Sequence, residues 1–380
     1  MILVVSWLVL NSNRRIAARY GPGRGPLLQR SWNYLFFYHL VFSCLFPLVP
    51  GDAVGYWNFG LQQILVRSDK MMDYFGVGTI FLLFLDFIPV KIMGLSFITG
   101  NILYGVLGFL GIRYLYRLFL QSQKVNVKVF GLPVVPFLFY LPNMNFWTSG
   151  VGKDTLCFFG IAWFLYSMQS FGKRAVSILL SFALVYCVRP HVGMMMIGGV
   201  AAGIVLSRNV KPFLRIMTPI FAVGVFLLLY NQVAAFLKID DLSVKSLVAV
   251  ANDKAAVLSG LAGSSVDISH YPWPLRMWTY LYRPLFFDIH NLITFFASLE
   301  NGVYLVITFA GIKAFRRSDF RTMPLWMLMG TTIFLAMLLV FANSLGNLGI
   351  IMRMKNMTMI YFLIVLVWAM GNRKYENIHQ

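Results

Sequence analysis

Acidic side chains are scarce in this chain: 13 Asp and Glu in 380 residues, against 32 Lys and Arg. Charged residues of both signs make up 12%, about half the share of a water-soluble domain, and 59% are hydrophobic, which excludes an ordinary soluble globule. Cysteine is nearly absent. Cys44, Cys157 and Cys187 lie far apart, in or beside apolar runs, so neither a disulfide framework nor a zinc site is expected and they read as buried packing residues. There is no Walker A loop, G-x-S-x-G elbow, H-E-x-x-H or C-x-x-C pair, which argues against an ATP-driven pump, a serine hydrolase and a zinc protease. No metal and no organic cofactor is expected. The opening MILVVSWLVL lacks a basic n-region and a small-residue cleavage site, and is not read as a cleaved signal.

Long apolar runs dominate instead. Stretches near the length of about 20 residues that crosses a bilayer occur at 32–49, 95–118, 129–146, 153–170, 190–207, 213–237, 288–312, 323–342 and 356–371. A shorter one, 175–188, runs up to Arg189. Two more are ambiguous: 1–10 is short, and 76–92 contains Asp86, Pro89 and Lys91, so that it either re-enters or lies flat at the interface. The expectation is an all-α, polytopic integral membrane protein of about 10–12 transmembrane or re-entrant helices. It forms a single helical membrane domain over 1–380, with one long extracytoplasmic loop at 238–287. That loop turns aromatic at HYPWPLRMWTYLYRP, and its simplest structure is short helices on the membrane with Trp273, Trp278, Tyr280 and Tyr282 at headgroup level. Gly105, Gly108 and Gly111 suit close helix packing.

The net charge of +19 would suggest nucleic acid in a soluble protein. With 76–92 not crossing fully, however, the basic clusters around Arg14–Arg30, Arg113–Lys128, Lys173, Arg208–Arg215, Lys313–Arg321 and Arg373 all fall on one side of the membrane. That side holds twenty basic and two acidic residues, leaving twelve and eleven for the rest. This is the positive-inside pattern; it accounts for the charge without nucleic acid and suits anionic membrane lipids.

The remaining polar groups gather on the other side. Asp52 follows the first strong span; Lys153 and Asp154 precede another; Arg189 and His191 flank a proline break. Arg276 and Arg283 end the long loop, Glu300 lies in the next span, and Asn347, Arg353 and Lys355 sit in a short outer loop between the last two. Ionisable groups at bilayer depth cost about 2.5–3.5 kcal/mol each on insertion scales, so a functional reading is their default. Arginines round a partly dry cavity suit phosphate or pyrophosphate, and a nearby carboxylate such as Asp52 suits a general base or a sugar hydroxyl. Bland readings stand beside these. Asp52 and Asp154 suit helix caps, Lys153 a snorkelling lysine, Arg189 a partner for broken-helix carbonyls, and Arg276 and Arg283 headgroup anchors. Asp86 and Lys91 read as a local pair, and His270 and His290 as structural.

The order of D-x-x-x-Y (Asp52, Tyr56), P-x-x-x-F-W-x-S-G-x-x-K-D (Pro142 to Asp154), R-P-H (Arg189 to His191), Y-R-P followed by S-L-E (Tyr282 to Glu300) and N-x-G-x-x-x-R (Asn347 to Arg353) resembles bacterial polysaccharide-assembly membrane proteins. These are the Wzy-like and EpsG-like polymerases, within the wider class of polytopic C-type glycosyltransferases. The resemblance covers about residues 32–370. It implies a multi-pass protein of the bacterial inner membrane, working on the extracytoplasmic face. Its partner would be a polyprenyl-phosphate-linked saccharide, and other polysaccharide-assembly proteins would be its neighbours. In its chemistry an acceptor hydroxyl attacks the anomeric carbon while lipid phosphate leaves. By the same resemblance Asp52 is the base or acceptor-positioning group and His191 a second candidate base. Lys153, Arg189, Arg276, Arg283, Arg353 and Lys355 are candidates to hold the phosphate, and Asp154, Glu300 and Asn347 to serve the acceptor or the structure. A single Asp in the early loop departs from the acidic pair of many such enzymes. The alternatives are a transporter or flippase of lipid-linked saccharides, a membrane O-acyltransferase, and a non-catalytic subunit.

Overall fold

The computed structural model describes residues 2–49, 51–59, 68–237, 266–268 and 270–379. In chain order the helices are α1 (Ile2–Ala17), α2 (Gly21–Leu45), α3 (Asp52–Trp57), α4 (Thr79–Phe87), α5 (Phe97–Ser122), α6 (Val134–Phe137), α7 (Pro142–Trp147), α8 (Lys153–Met168), α9 (Ala175–Val188), α10 (Pro190–Leu206) and α11 (Pro212–Leu237), then α12 (Trp273–Tyr282), α13 (Leu292–Arg316), α14 (Leu325–Ser344) and α15 (Leu348–His379). The strands among the described residues are β1 (Lys128–Val129) and β2 (Leu132–Pro133), one minimal antiparallel hairpin. Five of these helices are long and apolar enough to cross a membrane: α5, α11 over Pro212–Leu229, α13, α14 and α15. Two shorter apolar ones, α9 and α10, join them. The chain is therefore an all-α membrane protein.

Local chemistry sets the boundaries. Ser96 caps α5 by accepting the Thr99 N–H, and Asn291 caps α13 by accepting that of Thr294 at 2.9 Å. Pro190 cannot donate a backbone N–H and disfavours helix in the residue before it, so Arg189 takes a non-helical conformation (φ −144°, ψ 87°) and separates α9 from α10. Asn347 Oδ1 accepts the N–H groups of Gly349 and Ile350, which starts α15 at Leu348. Arg353 and Lys355 thus lie in the opening turns of a helix rather than in a loop.

Four further expectations are corrected. The run 129–146 forms no single span, because Gly131, Pro133, Pro136 and Pro142 divide it into the hairpin, a turn of helix and α7. In α12 the tryptophans face outward, Trp273 at 51% exposure, while Tyr280 and Tyr282 are buried and donate or share hydrogen bonds with Thr358 and Thr308 of the bundle. Asp86 and Lys91 do not pair: Asp86 is buried and accepts from Tyr104 at 2.7 Å, and Lys91 lies over the Phe59 ring. Cys44 is exposed, Cys187 half-buried and only Cys157 fully packed. Of the loop expected at 238–287, residues 238–265 and 269 lie outside the described residues.

The bundle packs around α5, α8 and α15. The glycines of α5 let other backbone approach. A Cβ at Gly105 would collide with Ser43 of α2, and one at Gly108 with the Thr148 carbonyl. The second contact brings the α7–α8 loop onto the helix, a closeness only glycine allows. At the far end of α5, Arg117 and Arg174 each place a guanidinium 4.4 Å from the Tyr166 ring centroid, and Gln169 bonds Gln121. The basic residues of the α5, α8 and α15 termini collect at that end.

Candidate functional site

A cavity of about 280 Å³ lies against the α7–α8 loop, which Asn101 near the start of α5 holds in place. Asp52 and Tyr56 reach it from α3, Trp147 from the end of α7, Lys153 and Asp154 from the start of α8, Arg189 and His191 from the α9–α10 break, and Arg353 with Met354 from α15.

The α7–α8 loop is held rigidly. Asn101 Oδ1 accepts the Val151 N–H at 2.8 Å, Thr155 donates to the Gly150 carbonyl at 2.6 Å, and Gly150 lies tight against the Phe46 ring. Gly152 takes φ +156°, outside the range L side chains favour, and this turns the chain so that Lys153 and Asp154 begin α8 beside the cavity.

Arg189 is central. One Nη donates to Asp154 at 2.5 Å; the other faces the thioethers of Met354 and Met357 at 2.6 and 3.7 Å. Sulfur is a weak acceptor, so that half of the guanidinium keeps most of its donor capacity. Burial alone would lower the Arg189 pKa, but the Asp154 carboxylate outweighs it and holds the pKa above the ordinary value. Lys153 donates to Thr79 at 2.7 Å and lies 5.7 Å from the Tyr56 ring centroid. The Arg353 guanidinium stacks 4.2 Å from the Trp147 centroid, and its buried Nε has no hydrogen-bond partner. Asp52 is exposed to the cavity, with the Tyr56 hydroxyl 3.5 Å away. Burial first, then the Asp52 and Asp154 carboxylates, raise the Tyr56 pKa, so that hydroxyl stays a donor. His191 packs edge-on to Phe341.

Other residues expected at the site lie outside the cavity. Lys355, 1% exposed, donates to the Arg283 carbonyl at 2.7 Å and to Asn301 at 2.8 Å. Glu300 is equally buried; it accepts the Met144 N–H at 3.0 Å and the Tyr304 hydroxyl at 2.6 Å, which anchors the start of α7. Arg283 forms an ion pair with Asp288, Arg276 bonds Tyr271 and Asn343, and Asn347 caps α15. These groups brace the elements that carry the cavity and do not line it. Trp147 and Met354 carry no assignment from sequence, although Trp147 sits inside the F-W-x-S-G element.

Among the described residues, no three His, Cys, Asp or Glu side chains gather closely enough to hold a metal ion. What the cavity offers is three cations, two carboxylates and an imidazole on aromatic walls, a donor set suited to an anionic oxygen ligand. No family model matches the chain, and neither the curated proteins nor the solved structures give a match to it.

Proposed function

We propose that the protein is a membrane glycosyltransferase or polysaccharide polymerase of the Wzy-like and EpsG-like kind, acting on sugars carried by polyprenyl phosphate or pyrophosphate. One observation carries this reading: Asp52, Lys153, Asp154, Arg189, His191 and Arg353, brought from α3, α8, the α9–α10 break and α15, line a single cavity at one end of the bundle. The cavity faces outward across a bacterial inner membrane, the basic opposite end faces the cytoplasm, and about ten to twelve of the bundle's helices cross or re-enter that membrane. Residues 270–287 belong to the outward side.

In the reaction, an acceptor hydroxyl oxygen forms a bond to the anomeric carbon. The bond from that carbon to the lipid phosphate oxygen breaks, and the phosphate leaves with the electron pair. The hydroxyl proton passes to Asp52, the carboxylate of the cavity to which no cation is bonded among the described residues, with His191 as the second base. Arg353 and Lys153, least committed to protein partners, hold the departing phosphate, and Arg189 completes the field. Charge on the phosphate grows as the bond breaks, so fixed cations stabilise the transition state more than the bound donor. Confinement of these charges to one end favours an enzyme over a transporter, which needs polar groups along its whole path.

The test is to purify the full chain in detergent with its lipid retained and to identify what co-purifies by mass spectrometry, before and after Arg353→Ala. A polyprenyl phosphate or lipid-linked saccharide present in the parent and lost from the variant supports the proposal. Bulk phospholipid alone in both overturns it.

A further inference from the structure

A second polar cleft lies at the other end of α5, where Leu120 lines its wall and Gln123 follows the last turn. From Asn101, which bonds the α7–α8 loop, to Leu120 is nineteen residues, about 28 Å of α-helix at roughly 1.5 Å each. That is close to the hydrocarbon thickness of a bilayer, about 30 Å, so the two clefts stand at headgroup level in opposite leaflets.

This second cleft has a volume of about 440 Å³. Arg24 and Lys124 are exposed at it, and among the described residues no carboxylate lines it. Among the described residues the Arg24 guanidinium has no hydrogen-bond or ion-pair partner, and Lys124 lies 5.0 Å from the Tyr375 ring centroid. Two further lining residues carry buried polar atoms without hydrogen-bond partners, the Tyr20 hydroxyl and the Gln123 amide nitrogen. Unmet buried donors are rare in folded proteins and call for an explanation. Beside them the wall is apolar, with Leu27 69% exposed. Cationic and neutral donors next to a greasy wall, at headgroup depth, match one ligand chemistry: a phosphate diester with hydrocarbon chains attached.

We infer that the cleft formed by Tyr20, Arg24, Gln123 and Lys124 is a binding site for an anionic phospholipid of the leaflet opposite the reaction cavity. The phosphate sits between Arg24 and Lys124, and an acyl chain runs along Leu27 and Leu120. The site shares no residue with the cavity. It does not depend on the glycosyltransferase reading, and a lipid bound here is a bulk membrane phospholipid rather than a polyprenyl carrier.

The experiment is native mass spectrometry of the full-length protein in detergent, titrated with phosphatidylglycerol or phosphatidylcholine. The expected result is one phosphatidylglycerol retained at least tenfold more tightly than phosphatidylcholine, and a loss of that preference in Arg24→Gln/Lys124→Gln. Both side chains are exposed, so the double variant keeps the fold, which an unchanged melting temperature verifies. Tyr20→Phe, a milder change, is expected to weaken binding severalfold. Equal retention of the two lipids, or an undiminished preference in the double variant, overturns the site. Displacement of the lipid by millimolar inorganic phosphate alone also overturns it, since the anion would then be held without its chains. The Arg353→Ala variant keeps full phosphatidylglycerol binding if the two sites are distinct, whatever the fate of the polyprenyl ligand.

Discussion

The Arg353 guanidinium lies 4.2 Å from the centre of the Trp147 ring, and its Nε has no hydrogen-bond partner. The stack fixes the plane of the cation while leaving its donor edge uncommitted. An arginine so placed is pre-oriented for an anion, and lysine at the same point supplies charge without the plane or the fork. Arg353→Ala is therefore expected to reduce transfer from a lipid-phosphate-linked sugar by about 10²-fold or more, and Arg353→Lys to restore little of it. Arg276→Ala, outside the cavity, should remain near the parent rate. An Arg353→Lys variant with parental turnover would show that charge alone suffices.

Asp52 and Asp154 are expected to separate in their effects. Asp52 is exposed and among the described residues bonds only Tyr56, so Asp52→Asn should lower turnover by about 10²–10⁴-fold with the melting temperature unchanged. Asp154 neutralises Arg189, and the side chains are 20% and 11% exposed. Its removal leaves a nearly buried charge unpaired, which destabilises by about 3 kcal/mol. Thermal unfolding in detergent, run beside a transfer assay, distinguishes the two. Parental activity in Asp52→Asn would remove that carboxylate from the mechanism.

The α5 glycines make a sharper steric test. Gly108→Ala drives a methyl group into the Thr148 carbonyl, and is expected to cost about 1–3 kcal/mol and to displace the α7–α8 loop. Gly224→Ala on α11, where a Cβ meets nothing within 4 Å, should be neutral or slightly stabilising. Comparable melting temperatures for the two variants would contradict the packing described.

Acid sensitivity is expected from the Arg283–Asp288 pair, which lies ahead of α13. Burial works to raise the Asp288 pKa, but hydrogen bonds from Arg283 and the Leu285 N–H prevail and hold it below the ordinary carboxylate value. A depressed folded pKa stabilises fully above the unfolded value, about 3.9, and the contribution fades as pH falls through the folded one. Melting temperatures at pH 7 and across pH 4 to 3 should therefore show an acid loss that is smaller in Asp288→Asn.

How far these features were legible in the sequence depended on whether one residue fixed a local geometry. The R-P pair dictates the α9–α10 break, and with it the placement of Arg189. The apolar lengths give α5, α11, α13 and α14 nearly at their observed bounds. By contrast, Arg353 and Lys355 read as equals in a sequence whose hydropathy suggests a loop there. In a helix, two residues apart means about 200° of rotation, so one meets the cavity and the other the buried carbonyl of Arg283. Only the cap at Asn347, two hydrogen bonds that hydropathy does not register, sets that phase. Likewise α12 is amphipathic in sequence, but nothing in its composition says that its tyrosines face protein and its tryptophans face outward.

The α15 contribution to the cavity bears on how the protein is made. Asp52, Lys153, Asp154 and Arg189 all emerge from the ribosome well before Arg353. Until α15 docks, Arg189 lacks Met354 and Met357, and the Trp147 ring lacks its cation. A partly synthesised chain thus carries both carboxylates and most of the positive charge, but no competent site. On the proposed function, ligand capture becomes possible only once α15 is inserted, so docking of that helix and completion of the cavity are one event.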